Sequence, residues 1–180
     1  MPLPPPEVER EAVHDRRIEC VGYRRADGAF EIEGRLTDAK HYSFANAFRG
    51  GLAPGEHLHD MSIRMTVSPD FEILALLVAP DAGPYADCAQ ATAHYASLVG
   101  ERIKPGFTAL TQRRVGGVCG CTHVSELLNR MTTVAFQTIA PLRRAEDGAR
   151  PNTRLKNTCY AYRADGPVAA SAWSERPSGV

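Results

Sequence analysis

The chain has 180 residues, 43% of them hydrophobic, with 21 Lys+Arg balancing 21 Asp+Glu, which fits one soluble domain with a real core. Zero net charge and 7% aromatic content supply neither the field nor the stacking platforms of a nucleic-acid binder, and no draw toward an anionic membrane. The longest apolar run, Ile73-Leu74-Ala75-Leu76-Leu77-Val78-Ala79, is strand-sized rather than membrane-spanning.

Residues 1–14 are rich in proline and charge and carry no apolar period, which predicts a flexible arm. The Met1-Pro2-Leu3-Pro4-Pro5-Pro6 start lacks the basic residues and apolar stretch of a signal peptide. A cytoplasmic protein is the expectation, and with five cysteines, an odd number, a disulfide framework is not expected. One α+β domain is predicted over 15–173, with a flexible tail at 174–180.

Strand-like runs at 17–24 and 29–37 flank Ala26-Asp27-Gly28, a strong hairpin signal. A linker with Gly50-Gly51 and Pro54-Gly55 covers 38–55. A second hairpin begins at His57: His57, His59, Met61, Ile63, Met65 and Val67 alternate with a mostly polar set, so period two places both histidines on the apolar face. Ser68-Pro69-Asp70 turns the chain into a returning strand at 71–79.

A helix is predicted at 85–99, with Cys88, Ala91, Tyr95 and Leu98 as its apolar stripe and Asp87 in its first turn. A broken helix follows at 103–115, interrupted by Pro105-Gly106. The next helix opens after Gly120 and carries Val124, Leu127, Leu128, Met131, Val134, Ala135 and Thr138 on one side, with Pro141 expected to stop it. After a polar break at 144–153, residues 156–173 predict another strand and a turn. Hairpins followed by helices predict an antiparallel sheet with helices packed on one face.

The chemistry-bearing residues lie at element ends. Cys121 and His123 sit where a loop containing Gly116, Gly117 and Gly120 turns into a helix, with Thr122 as a candidate N-cap. Unpaired N–H groups and the positive helix end favour a thiolate there. Cys119 is a second thiol or a bystander. Cys88 opens a helix in the same manner, though a single cysteine there is usually a packing residue. His57 and His59, spaced i, i+2 on one strand face, have the arrangement in which two imidazoles turn toward one ion. Asp60 points away unless a bulge re-aims it. Glu126 is either a ligand-orienting carboxylate or a solvated helix charge. Cys159 is core or a late addition to the site. Cys20, His41 and His94 have ordinary strand, loop and helix-surface contexts.

These residues resemble a bacterial family of unknown function. The shared features are Ile-Glu-Gly-x-Leu-Thr-Asp at 32–38, His-Asp-Met at 59–61, Pro-Tyr-x-x-Cys at 84–88, Gly-Cys-Thr-His at 120–123 and Cys-x-Ala-x-Arg-x-Asp-Gly-Pro-Val at 159–168. The resemblance spans about 16–173 and implies no activity. Members often have a histidine after the late cysteine, where Tyr160 stands here. The element order is also similar, more weakly, to the U-type iron–sulfur cluster scaffold fold. That resemblance implies that His57 and His59 replace the first cysteine and its nearby aspartate. It matches Cys88 to the middle cysteine and the Cys121/His123 turn to the last ligand pair. Fewer thiolates then imply a single metal rather than a transferable cluster.

Three functions fit this pattern. The first is a metal-binding domain holding Zn²⁺ or Fe²⁺ with some four of His57, His59, Cys88, Cys121 and His123, acting as a hydrolase or lyase if a coordination position stays open. The second is a metal-free enzyme with Cys121 as nucleophile and His123 or His59 as base. The third is an iron–sulfur or small-molecule carrier serving a partner enzyme. The first two act on a small-molecule substrate that no motif identifies, and 116–120 lacks the Lys-Ser/Thr end of a phosphate-binding loop.

Overall fold

The computed structural model of the protein describes residues 2–146 and 155–173. Four strands, β1 (His14–Arg24), β2 (Phe30–Lys40), β3 (His57–Val67) and β4 (Ile73–Ala82), form one antiparallel sheet in sequential order. With the helices that follow, the fold is α+β, as the order of patterns predicted. The β1–β2 turn is built at Asp27-Gly28. Gly28 adopts φ 86, a conformation that suits glycine, and the Asp27 carboxylate accepts hydrogen bonds from Arg25 and the Ala29 N–H.

Both strands of that hairpin run three residues past their predicted outer ends, β1 beginning at His14 and β2 ending at Lys40. The β3 strand has its predicted start, and β4 begins two residues late because Phe71, at φ 66, is still turning. Alternation works as expected over most of the sheet. Phe30, Ile32, Leu36, Met61, Ile63, Met65 and Val67 are buried on one face, and Glu33, Arg35 and Arg64 lie on the other. The β4 strand pairs only with β3. As an edge strand it leaves Leu74 and Leu77 exposed, and it tolerates Pro80 beside a register shift.

Three helical segments cover the core face within the first of two compact units, Met1–Ala140. The segment predicted as an α-helix at 85–99 is a 3-10 helix, Ala86–Leu98. Three residues per turn align Thr92, Tyr95 and Leu98 in one row, and Tyr95 and Leu98 are fully buried. The predicted stripe therefore faces inward with a different helical pitch. Helix α1 (Phe107–Val115) starts only after Pro105-Gly106, so the broken segment is one short helix with an irregular lead-in.

Helix α2 (Thr122–Glu146) buries Val124, Leu127, Leu128, Met131, Ala135 and Ile139. It lies close enough to the sheet that a Cβ on Gly22 would meet Thr138, and one on Gly34 would meet Met131. Pro141 does not end this helix, contrary to expectation. The helical assignment continues to Glu146 with the proline inside it, which costs the ladder one N–H donor without breaking the winding.

The second unit is Pro141–Val180. Its described part holds a 3-10 turn at Tyr160–Tyr162 and the short helix α3 (Pro167–Ala172). The strand predicted at 156–173 is not formed. Asn157, at φ 62, accepts a hydrogen bond from the Ala164 N–H through its side chain, so local bonds replace a ladder. Pro167 takes the first position of α3, where its missing N–H costs nothing. The predicted tail at 174–180 and most of the polar break at 144–153 lie outside the described residues.

Candidate metal centre

On β2 the core-facing parity runs Phe30, Ile32, Gly34, Leu36 and then Asp38. A carboxylate thus occupies the next position of an apolar stripe, with only 2% of Asp38 exposed. The same parity on β1 brings Arg16 opposite Asp38 in the register. Arg16 donates from Nε to Oδ1 and from Nη2 to Oδ2, each at 2.8 Å, and its Nη1 reaches Glu126 at 2.6 Å. His14, two residues earlier on the same face, donates from Nε2 to Oδ1 at 3.0 Å. Burial raises the Asp38 pKa, but the Arg16 fork and the His14 bond outweigh it and hold the carboxyl below its ordinary value.

His59 pairs with Asp38 across β2 and β3. Its Nδ1 lies at ion-pair distance, 3.1 Å, from Asp38 Oδ2 without hydrogen-bond geometry, and this buried nitrogen has no hydrogen-bond partner among the described residues. His123, one residue into α2, brings Nε2 to 3.5 Å from the same oxygen. The two imidazoles are stacked, with centroids 3.6 Å apart and planes 26° off parallel. Burial first, then the neighbouring His123, push the His59 pKa down to about 4 against the pull of Asp38. The ring is neutral at pH 7. Among the described residues, Asp38, His59 and His123 are the one trio of His, Cys, Asp or Glu whose donor atoms all lie within 4.8 Å of one another.

His57 is not in this trio. The β2–β3 register steps from Asp38 opposite His59 to Ala39 opposite His57, a bulge that takes up Leu58. The bulge reverses the parity, so the two histidines do not share a face as alternation predicted. His57 turns to the outer side, where its Nδ1 lies 3.0 Å from Asp60. Asp60 points away from the core, as expected, and takes the Arg35 fork at 2.8 and 2.6 Å.

Cys121 lies just behind the trio, its Sγ 3.9 Å from Nδ1 of His123. It precedes the first turn of α2, and its carbonyl accepts the Ser125 N–H. Burial raises its pKa, but His123 and the backbone N–H groups of Val124 and His123 more than offset this and bring it below the ordinary thiol value. Tyr95 holds the turn in place: fully buried, it donates from Oη to the Cys121 carbonyl at 2.8 Å and accepts from the Cys121 N–H. His94, next to it, is exposed and fastens the Cys119 carbonyl through Nδ1 at 2.6 Å.

Of the residues singled out from sequence, the fold therefore brings together His59, His123 and Cys121. Cys88 packs beside Gly83 instead, and Cys119 and Cys159 are exposed. Cys20 is half-buried among core residues, where burial raises its pKa. Glu126 is partly exposed and accepts a hydrogen bond from Arg16 Nη1 at 2.6 Å. The trio contains no sulfur, so the site is a nitrogen–oxygen donor set rather than the mixed nitrogen–sulfur set expected. Asp38, Arg16 and His14 were missed, although the signal existed: each continues the core parity of its strand by one or two steps.

A protein-family model matches residues 14–137. The chain belongs to DUF2889, a family of proteins of unknown function. The match starts at His14 and covers the sheet, the 3-10 helix, α1 and most of α2. It includes every residue of the trio but not the late motif at 159–168. No curated protein and no solved structure matches the chain, so the similarity to the iron–sulfur scaffold fold finds no support there.

Proposed function

We propose that this DUF2889 member is a metal-binding domain that holds one Zn²⁺ or Fe²⁺ through Asp38, His59 Nδ1 and His123 Nε2. One observation carries the proposal: a buried imidazole nitrogen without a hydrogen-bond partner, grouped within 4.8 Å with a second imidazole nitrogen and a buried carboxylate. A buried polar atom left unpaired is costly, and an ion at this point would satisfy it. Two imidazole nitrogens and one carboxylate suit zinc or ferrous iron.

Asp38 remains able to serve, because each carboxylate oxygen accepts more than one contact. Arg16 and His14 then act as the outer partners that fix its orientation. Three protein ligands leave coordination positions open, and a metal so held supplies Lewis-acid chemistry, activating water or polarising a carbonyl of a small-molecule substrate. His123 is 20% and His59 12% exposed at the side chain, so the group borders solvent on the His123 side.

Elemental analysis of purified protein, followed by calorimetric titration of the chelator-treated chain with Zn²⁺ and Fe²⁺, tests this. The expected result is about one ion per chain. Partners behind a ligand alone cost ~10–100-fold in affinity, so His59→Ala, His123→Ala and Asp38→Asn should each lose ~100-fold or more. His57→Ala and Cys88→Ala should bind as the parent does. A chain that takes up neither ion, or binds equally well without His59, would overturn the proposal.

A further inference from the structure

A cleft of about 500 Å³ lies between α1 and the first turns of α2, lined by Thr108, Gln112, Cys121, Ser125, Glu126 and Arg130 among others. None of the three trio residues lines it. Cys121 belongs to both places: it lines the cleft and lies 3.9 Å from the ring of His123. The far nitrogen of that ring faces the buried Asp38 carboxylate at 3.5 Å. Thiol, imidazole and carboxylate therefore stand in line in the order of a relay of nucleophile, base and orienting acid.

We propose that Cys121 is a nucleophile toward small polar acyl compounds bound in the α1–α2 cleft, with His123 Nδ1 as its proton acceptor and Asp38 as the residue that positions the imidazole. The lining is mainly hydroxyl, amide and charged groups, with Glu126 and Arg130 offering both signs. It favours a compact polar molecule over a lipid or an extended apolar chain. Thr122, His123 and Val124 carry the N–H groups that an α-helix leaves without intrahelical partners in its first turn. These point toward the sulfur end of α2, where a carbonyl oxygen gains negative charge during attack.

The step balances as follows. The Sγ–H proton passes to Nδ1 while a sulfur lone pair forms a C–S bond to the carbonyl carbon. The C–X bond then breaks, and X leaves with the proton from Nδ1. R–CO–X and the thiol thus give the S-acyl enzyme and H–X. The relay belongs to the metal-free chain: an ion on Nε2 would leave the neutral ring's proton on Nδ1, which could then not accept the thiol proton, so zinc loading should suppress the preference for Cys121.

The probe is p-nitrophenyl acetate at neutral pH, with nitrophenol release followed by absorbance and the acetylated cysteine located by peptide mass mapping. Exposed Cys119, two residues away, and exposed Cys159 serve as controls inside the same molecule. Cys121, though less accessible, should be acetylated at least ~10-fold faster than either. His123→Gln should slow Cys121 by ~100-fold or more while leaving the Cys119 rate unchanged. Thr108→Trp, which fills the cleft from an exposed position, should slow Cys121 in the same selective way and serves if His123→Gln folds poorly. Chelator-treated and zinc-loaded samples are compared side by side. Preference for Cys121 in the chelator-treated chain sustains the inference whatever the metal titrations give. Faster labelling of Cys119 and Cys159 there, or a Cys121 rate indifferent to both substitutions, overturns it.

Discussion

Asp38 accepts three hydrogen bonds from Arg16 and His14 and still presents Oδ2 to two imidazole nitrogens. Its ionised state is secured by the guanidinium rather than by water, which is how a carboxylate 2% exposed stays charged. Asp27 shows the same physics at the surface. The Arg25 side chain first, then the Ala29 N–H, hold its carboxyl below the ordinary range. A depressed folded-state value means that the ionised form favours the fold. The contribution is complete above the ordinary carboxylate pKa and is lost as pH falls through the depressed one. Asp27→Asn should therefore lower the melting temperature by a few degrees at pH 7 and make progressively less difference as the pH falls below the ordinary carboxylate pKa. Paired thermal melts across that range check it, and a difference that persists at the acid end would place the effect in turn geometry instead of charge.

The elements differ in how much of them could be read from local pattern. The Asp27-Gly28 hairpin, the start of β3 and the start of α2 follow from turn chemistry and alternation, and the structure has them. His59 and His123 stand out because imidazoles at element ends are uncommon. Asp38 was hidden because aspartate after Thr37 reads as a breaker, and only pairing with β1 and β3 shows that the strand continues through it. The bulge at Leu58 was equally hidden, since His-Leu-His alternates in sequence whatever the backbone does. The 3-10 helix shares its apolar residues with the α-helix that was expected, so pattern alone does not choose between the two pitches.

The contact between α2 and the sheet is decided by two glycines. A Cβ at Gly22 would fall 1.9 Å from Thr138 Oγ1 and 2.9 Å from its Cβ, whereas one at Gly34 would press mainly on Met131, 2.7 Å from Sδ. Methionine bends away and a β-branched threonine does not. Gly22→Ala should cost about 2–3 kcal/mol and Gly34→Ala about 1 kcal/mol, measured by urea unfolding. Equal costs would mean that α2 moves as a body instead of its side chains yielding singly.

At the scale of the molecule, the buried core cluster runs from Phe30 to Ile139 and ends before Pro141. The family match likewise ends at 137. The Asp38–His59–His123 trio, the cleft and Cys121 all belong to the first compact unit. A chain cut after Glu146 should therefore keep cooperative unfolding, with a melting temperature within a few degrees of the parent, and the same affinity for Zn²⁺. Scanning calorimetry and titration of the truncated chain test this, and a molten, non-cooperative product would show that the second unit supports the first. No helix among the described residues is long and apolar enough to cross a membrane.

The extra residue at Leu58 acts as a frameshift in the sheet. Upstream of it β3 is written in one frame, downstream in the other, and two nearly adjacent histidines are delivered to opposite sides of a single layer. His57 joins an acid–guanidinium pair facing outward, while His59 joins the interior trio. Excising that one position would leave His57 and His59 consecutive and still opposite Ala39 and Asp38, on alternate faces, so this strand delivers one imidazole to the trio with or without the bulge.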